Sequence, residues 1–145
     1  MDIKPYRRKV NYYETDRMNI VHHSNYARYL EEARLDYMVQ VGIAYDELER
    51  KGIIIPVLEL HDKYVKSIGF GDVIEVHIHL TKLTAVRFRM QYEIYNEKTG
   101  ELIHRAETAH AFVNEKLVPL NLKKHFPEEY ATFEKCLEVD YNNEA

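Results

Sequence analysis

The sequence predicts an α+β domain in which one long helix lies across the concave face of an antiparallel sheet of about five strands. Two observations carry this. Tyr26, Tyr29, Leu30, Ala33, Tyr37 and Val41 recur at spacings of three and four, which places them on one helical face. Further along, Ile74, Val76, Ile78 and Leu80 alternate with Glu75, His77, His79 and Thr81, and Phe88, Met90, Tyr92 and Ile94 alternate with Arg87, Arg89, Gln91 and Glu93. A period of two over such runs is the mark of strands with one apolar and one wetter face.

Taken in order, Lys4 to Tyr13 reads as a first strand that runs into the polar turn Glu14-Thr15-Asp16-Arg17-Met18-Asn19. The long helix follows from about Asn25 to Val41. Ser24 or Asn25 is the expected cap, and Gly42 stands where a left-handed stop is wanted. Arg28, Glu32 and Asp36 share an i, i+4 row, so the polar face is expected to start with an ion pair. Ala44 to Lys51 is a short helix ending at Gly52. Ile53 to Lys66 is a strand, and Gly69-Phe70-Gly71-Asp72 is a turn. The two alternating runs come next, and Asn96-Glu97-Lys98-Thr99-Gly100 leads into a last strand, Glu101 to Asn114. Pro119 ends the sheet, and Pro127 to Cys136 forms a closing helix with proline in its first turn.

The chain has 145 residues and a formal net charge of −4, with both signs mixed along it, which speaks against a general nucleic-acid binder. Its one cysteine, Cys136, excludes an internal disulfide framework and fits a reducing, cytoplasmic setting. The basic start, Met1 to Lys9, lacks the apolar stretch of a secretory signal, and the most apolar run, Ile53 to Leu58, is too short to span a bilayer. No composition shift marks a boundary, so residues 1–145 are expected to form a single domain. An open sheet of about five strands leaves an edge, and self-association is expected.

Chemistry concentrates in Tyr13-Glu14-Thr15-Asp16-Arg17-Met18-Asn19-Ile20-Val21-His22-His23-Ser24-Asn25-Tyr26. A carboxylate precedes a helix start, and helix starts offer unpaired N–H groups that polarise a carbonyl and hold an oxyanion. A carboxylate facing the same point attacks that carbon or activates a water. The plainer alternative is that Asp16 only satisfies turn N–H groups.

This segment resembles the signature of hotdog-fold acyl-CoA thioesterases of the 4-hydroxybenzoyl-CoA and YbgC-like branch. That family shows an aromatic residue, Asp-Thr-Asp, two variable residues, Gly-(Ile/Val)-Val, and a His/Tyr-x-Asn-Tyr run opening the central helix. Here stand Tyr13, Glu14-Thr15-Asp16, Asn19-Ile20-Val21 and His23-Ser24-Asn25-Tyr26, followed by Glu32-Ala33-Arg34. The likeness continues through Pro56, Tyr64, Gly71-Asp72, Arg87-Phe88 and Pro119. The resemblance implies a hotdog fold, hydrolysis of an acyl-CoA to a free acid and coenzyme A, and a dimer or tetramer with active sites at the interface. Asp16 matches the catalytic aspartate, as nucleophile or general base, and the backbone N–H of His23 matches the donor to the thioester carbonyl. Asn19, Val21, Tyr26, Lys66, Arg87 and Arg89 are the expected substrate-binding residues, with the cations, Lys82 beside them, placed to meet the phosphates of coenzyme A. Glu14 replaces the first aspartate, at a position not expected to do chemistry. Asn19 replaces the glycine, and asparagine is the non-glycine residue best suited to a left-handed backbone.

No cofactor is expected, because a thioester is already activated for attack. The pairs His22-His23 and His77-x-His79 lack further ligands at metal spacing and read as surface histidines. The His23 side chain either lines the pocket mouth or caps the helix, and His61 lies on a strand that approaches the pocket. His125-Phe126-Pro127 resembles a motif of hotdog dehydratases but sits beyond the last strand, as the lead-in to the closing helix. Cys136 reads as packing. The alternatives to a thioesterase are a hotdog dehydratase or hydratase, and a non-catalytic acyl-CoA-binding protein.

Overall fold

The alternating runs become strands whose burial alternates as their sequence does. In the computed structural model, which describes residues 2–137, β3 (Val73–Leu83), β4 (Arg87–Asn96) and β5 (Leu102–Ala111) form the centre of one antiparallel sheet. β1 (Tyr6–Lys9) and β2 (Val57–Tyr64) are its edges, giving the order β1-β3-β4-β5-β2. Ile74, Val76, Ile78, Leu80, Phe88, Met90, Tyr92 and Ile94 face inward and are buried. Against them lies α1 (Ser24–Gln40), burying Tyr26, Tyr29, Leu30, Ala33, Tyr37 and Met38. This is the expected helix across a five-stranded sheet, with the periodicity identifying the buried face.

The other elements are α2 (Tyr45–Arg50), α3 (Leu122–His125) and α4 (Pro127–Cys136). Gly42 has φ +86°, the left-handed stop predicted after α1. α4 begins with Pro127 and closes the far end of the core, where Phe133 meets Phe88 and Phe112 at ring separations of 5.3 and 5.2 Å. Cys136 is buried in that helix, its thiol 3.3 Å from the Thr132 carbonyl, as the packing assignment required.

Several expectations need correction. The first strand is Tyr6–Lys9 rather than Lys4 to Tyr13, because the chain turns into a 3₁₀ segment at Tyr12–Glu14. The second covers Val57–Tyr64 rather than Ile53 to Lys66, with Ile54 reduced to a bridge to Val113. The last ends at Ala111 rather than Asn114. Neither expected residue caps α1: His23 holds the N-cap position without a side-chain capping bond, the Asn25 amide donates to the Glu14 carbonyl and the Ser24 hydroxyl bonds the His22 ring at 2.8 Å. Glu32 does not pair with Arg28. It turns to the sheet, accepting from the Arg8 guanidinium at 3.0 Å and the Tyr6 hydroxyl at 2.8 Å, since a neighbouring strand offers a less exposed partner than the helix surface does.

Among the inward-facing residues are two buried histidines. His110 stacks on Phe88 at 4.6 Å and bonds the Thr108 hydroxyl at 2.8 Å; burial, aided by the Arg34 guanidinium, pushes its pKa down to about 3. His104 bonds Asp62 at 2.7 Å, and burial lowers its pKa despite that carboxylate. Each group is harder to protonate folded than unfolded. Their contribution is therefore complete above the unfolded value and drains away as pH falls toward the folded one.

Urea denaturation is expected to show a loss of about 2 kcal/mol from His110 between pH 7 and pH 5, with His104 acting in the same direction. His110→Gln should flatten that slope, and an unchanged slope would place the acid sensitivity elsewhere. A second prediction concerns Leu117, which is exposed at φ +61°, a region unfavourable to a branched side chain. Leu117→Asn should raise stability by about 1 kcal/mol in the same measurement.

Candidate functional site

The segment between β1 and α1 folds into a small hairpin. Thr15 bridges to Val21, the Asp16 N–H donates to the Ile20 carbonyl at 2.9 Å, and the Asn19 N–H donates to the Asp16 carbonyl at 3.0 Å. Closing so short a loop requires a left-handed residue, and Asn19 supplies it at φ +63°. The substitution for glycine thus leaves the turn intact. The return leg is tied to the segment after β2, with Ile20 bridged to Gly69 and the Val21 N–H donating to the Ile68 carbonyl at 2.8 Å. At Gly69 a Cβ would lie 3.0 Å from the Asn19 carbonyl oxygen, so the close approach depends on glycine there.

Asp16 is half-buried at the start of this hairpin. Its Oδ1 accepts from the Met18 N–H at 2.8 Å, and Oδ2 carries no hydrogen bond among the described residues. The helix start lies across from it. There the Asn25 N–H donates to the His22 carbonyl and the Tyr26 N–H to the His23 carbonyl, while the His23 N–H has no protein acceptor among the described residues. Asp16 and His23 line one crevice of about 340 Å³ together with Met18, Ile20, Val21, Tyr26, Tyr64 and the segment Val65-Lys66-Ser67. Its walls are largely apolar and its rim carries one cation, Lys66, paired with Glu101.

Behind the crevice Tyr26 stacks on His104 at 4.3 Å, and Tyr64 meets both rings edge-on at 5.4 and 4.9 Å. Burial pushes the Tyr26 hydroxyl up to about 12, so this wall is uncharged near neutrality. Such an arrangement has the parts that attack on a carbonyl needs, an apolar wall, an unpaired backbone donor and a carboxylate.

Of the residues expected from sequence, Asp16, Val21, His23, Tyr26 and Lys66 come together here. Asn19 shapes the turn without lining the crevice. Arg87 and Arg89 lie elsewhere in the chain: Arg87 pairs in register with Ala111 and Arg89 with Ala109, whereas Tyr64 sits opposite His104, which pairs with Ile94. Along β4 that is a separation on the order of 20 Å. Arg87 and Lys82 border a second, smaller hollow with Leu58 and Phe88, and Arg89 is held by Glu59 at 3.0 Å and Glu107 at 2.8 Å. The register of the sheet thus separates these cations from Asp16.

His61 points to the outer face beside Glu59, away from the crevice. His77 and His79 lie near Glu75 and Glu93 on that same face, and among the described residues no group of three or more His, Cys, Asp or Glu side chains could hold a metal ion. His125 ends α3, exposed and apart from Asp16. Sequence reasoning did not single out Met18, Ile20 or Ser67, which reach the crevice through the hairpin and the exit from β2. Tyr64 appeared there only as part of a resemblance.

The crevice can be compared with known proteins. A family model described as the thioesterase-like superfamily matches residues 10–132. A crystal structure of a DHNA-CoA thioesterase from Staphylococcus aureus is 34% identical, with a TM-score of 0.86, covering 91% of this chain and 89% of that one. A 1,4-dihydroxy-2-naphthoyl-CoA hydrolase of Thermosynechococcus vestitus is 30% identical over 109 residues, 74% of each chain. The acyl-CoA thioesterase YbgC of Helicobacter pylori is 25% identical over 130 residues, 84% of this chain and 96% of that protein. A match that runs from just after β1 into α4 takes in the hairpin, α1 and four of the five strands, and on that ground the chain belongs to the thioesterase-like superfamily, as a thioester hydrolase with a hotdog fold.

Proposed function

We propose that this protein hydrolyses an acyl-CoA thioester to a carboxylic acid and free coenzyme A, with Asp16 and the His23 N–H as its chemical groups. The observation that carries this reading is their joint presence in one apolar crevice, the carboxylate with a free oxygen and the amide with a free hydrogen. The thioester carbonyl oxygen accepts from the His23 N–H, aided by the dipole of α1, and gains negative charge as the carbon is attacked. Asp16 either attacks that carbon itself, expelling the coenzyme A thiolate and leaving an anhydride for water to open, or removes a proton from an attacking water. Val21, Tyr26 and Tyr64 exclude bulk water from the acyl group.

The assembly we propose is a dimer through β2. Its edge is open, and Leu58, Leu60 and Tyr64 remain exposed along it, although Tyr64 meets Tyr26 of α1 edge-on. An unpaired apolar edge is a surface for another strand. Antiparallel pairing of two β2 strands sets the Val57 end of one against the Tyr64 end of the other. Lys82, Arg87 and Arg89 of the partner subunit then come toward the Asp16 crevice, where coenzyme A phosphates need cations.

Asp16→Asn is expected to lower kcat by about 100-fold or more with the fold preserved, as read by thiol release across a panel of acyl-CoA esters. Turnover near that of the wild type in this variant removes the mechanism. Asn19→Gly, which keeps the left-handed turn, should stay within about 2-fold of wild type. Composite sites make a further expectation: mixing inactive Asp16→Asn and Arg87→Glu chains after subunit exchange should restore about a quarter of wild-type activity, since half of the mixed dimers' sites are intact. No recovery would mean that Asp16 and Arg87 do not meet across subunits.

A further inference from the structure

The mechanism above leaves one buried charged cluster unused. Glu14 is 3% exposed, two residues before Asp16, and its carboxylate is held by the Arg8 guanidinium and by the Asn11 N–H at 2.8 Å. Arg8 spans from β1 to the helix, bonding Glu32 at 3.0 Å and lying 4.7 Å from the Tyr29 ring centre. The backbone of Glu14 is used as fully as its side chain. Its carbonyl oxygen accepts both the His22 N–H at 2.9 Å and the Asn25 side-chain amide at 2.9 Å.

One residue therefore grips both halves of the candidate site. On one side it fixes the chain that leads into the Asp16 turn. On the other it holds the residues immediately before and after His23–Ser24, the stretch that presents the free N–H. The hairpin tip adds nothing to this grip, because Arg17, Met18 and Asn19 are exposed, and the return leg is fixed at Ile20 and Val21 to the segment after β2.

We infer that Glu14, anchored by Arg8, is a positioning residue that fixes the spacing between the Asp16 carboxylate and the His23 N–H. The inference rests on the reading of those two groups given above. Glu14 does not touch the substrate. Its longer side chain, standing where the family pattern has aspartate, reaches the Arg8 fork while its carbonyl stays under the helix start. Glu32 shares the same guanidinium but holds only the body of α1, so the two carboxylates should differ in their effect on turnover.

The test compares wild type, Glu14→Gln, Glu32→Gln, Arg8→Lys and Asp16→Asn by steady-state thiol release, with kcat and KM determined separately and folding checked by urea denaturation. Glu14→Gln is expected to lower kcat by about 30-fold while KM changes by less than about 3-fold, because misplacement weakens the transition state more than the binding of coenzyme A. Glu32→Gln should lower stability with kcat near wild type. Arg8→Lys, which keeps a cation but loses the fork, should fall between them and carries the test if Glu14→Gln does not fold. Wild-type kcat in Glu14→Gln, or equal losses in Glu14→Gln and Glu32→Gln, would overturn the inference even with Asp16→Asn inactive. An active Asp16→Asn would instead strike at the mechanism on which it rests.

Discussion

A carboxylate removed from water must be paired, and the architecture around the crevice follows from how Glu14 meets that requirement. Leaving one partner of such a pair unmatched costs about 3–5 kcal/mol, a large share of a domain's net stability. Burial alone would raise the Glu14 pKa, but Arg8, the Asn11 N–H and the nearby Tyr29 hydroxyl outweigh it and hold the acid below its usual value. Arg8 is held charged by Glu14 and Glu32 against the opposing effect of its own burial. Three successive segments, β1, the hairpin and α1, are thus locked by charges none of them could bury alone. The hairpin has an exposed, polar tip, and its place in the fold comes from this anchor together with the buried Val21 on its return leg.

The edge strand β2 poses the opposite problem. Central strands hide their apolar side chains under α1, while Leu58, Leu60 and Tyr64 remain exposed, together with a row of open backbone groups. A single chain has no helix to spare for them. In the proposed dimer, pairing β2 with its copy would satisfy the backbone by hydrogen bonds and cover the side chains with partner surface in one step. The same pairing accounts for cations that register places far from Asp16, so that chemistry and phosphate binding would be divided between two chains.

The elements most legible in the sequence were those governed by local periodicity. The face of α1, the alternation of β3 and β4, the stop at Gly42 and the proline start of α4 depend on a residue and its near neighbours. What was missed depends on partners distant in sequence. Glu32 belongs to an i, i+4 row with Arg28, and only the approach of β1 reveals Arg8 as its partner. Asn25 has the composition of a helix cap, yet its amide is taken by Glu14. Arg87 and Arg89 lie on the wetter face as their alternation requires, but periodicity does not say which end of the sheet that face serves. The crevice was legible at Asp16, Val21, His23 and Tyr26 because they fall in one segment, and not at Ser67, which arrives from another.

Asp16 was open to two readings, a turn residue or a chemical one, and the two are not rivals. One oxygen caps the Met18 N–H, and this bond fixes the rotamer of the side chain. The other oxygen is left pointing where the turn, rather than a flexible chain, determines. A carboxylate free at both oxygens would sample many orientations, and the entropy of selecting one would be added to the barrier. In the proposed mechanism the turn bond would remove that cost before substrate arrives, while Asn19 at φ +63° supplies the left-handed residue of the turn. In the proposed mechanism an ordinary structural hydrogen bond would thus hold the attacking group ready, so the turn role of Asp16 is compatible with the chemical role proposed for it.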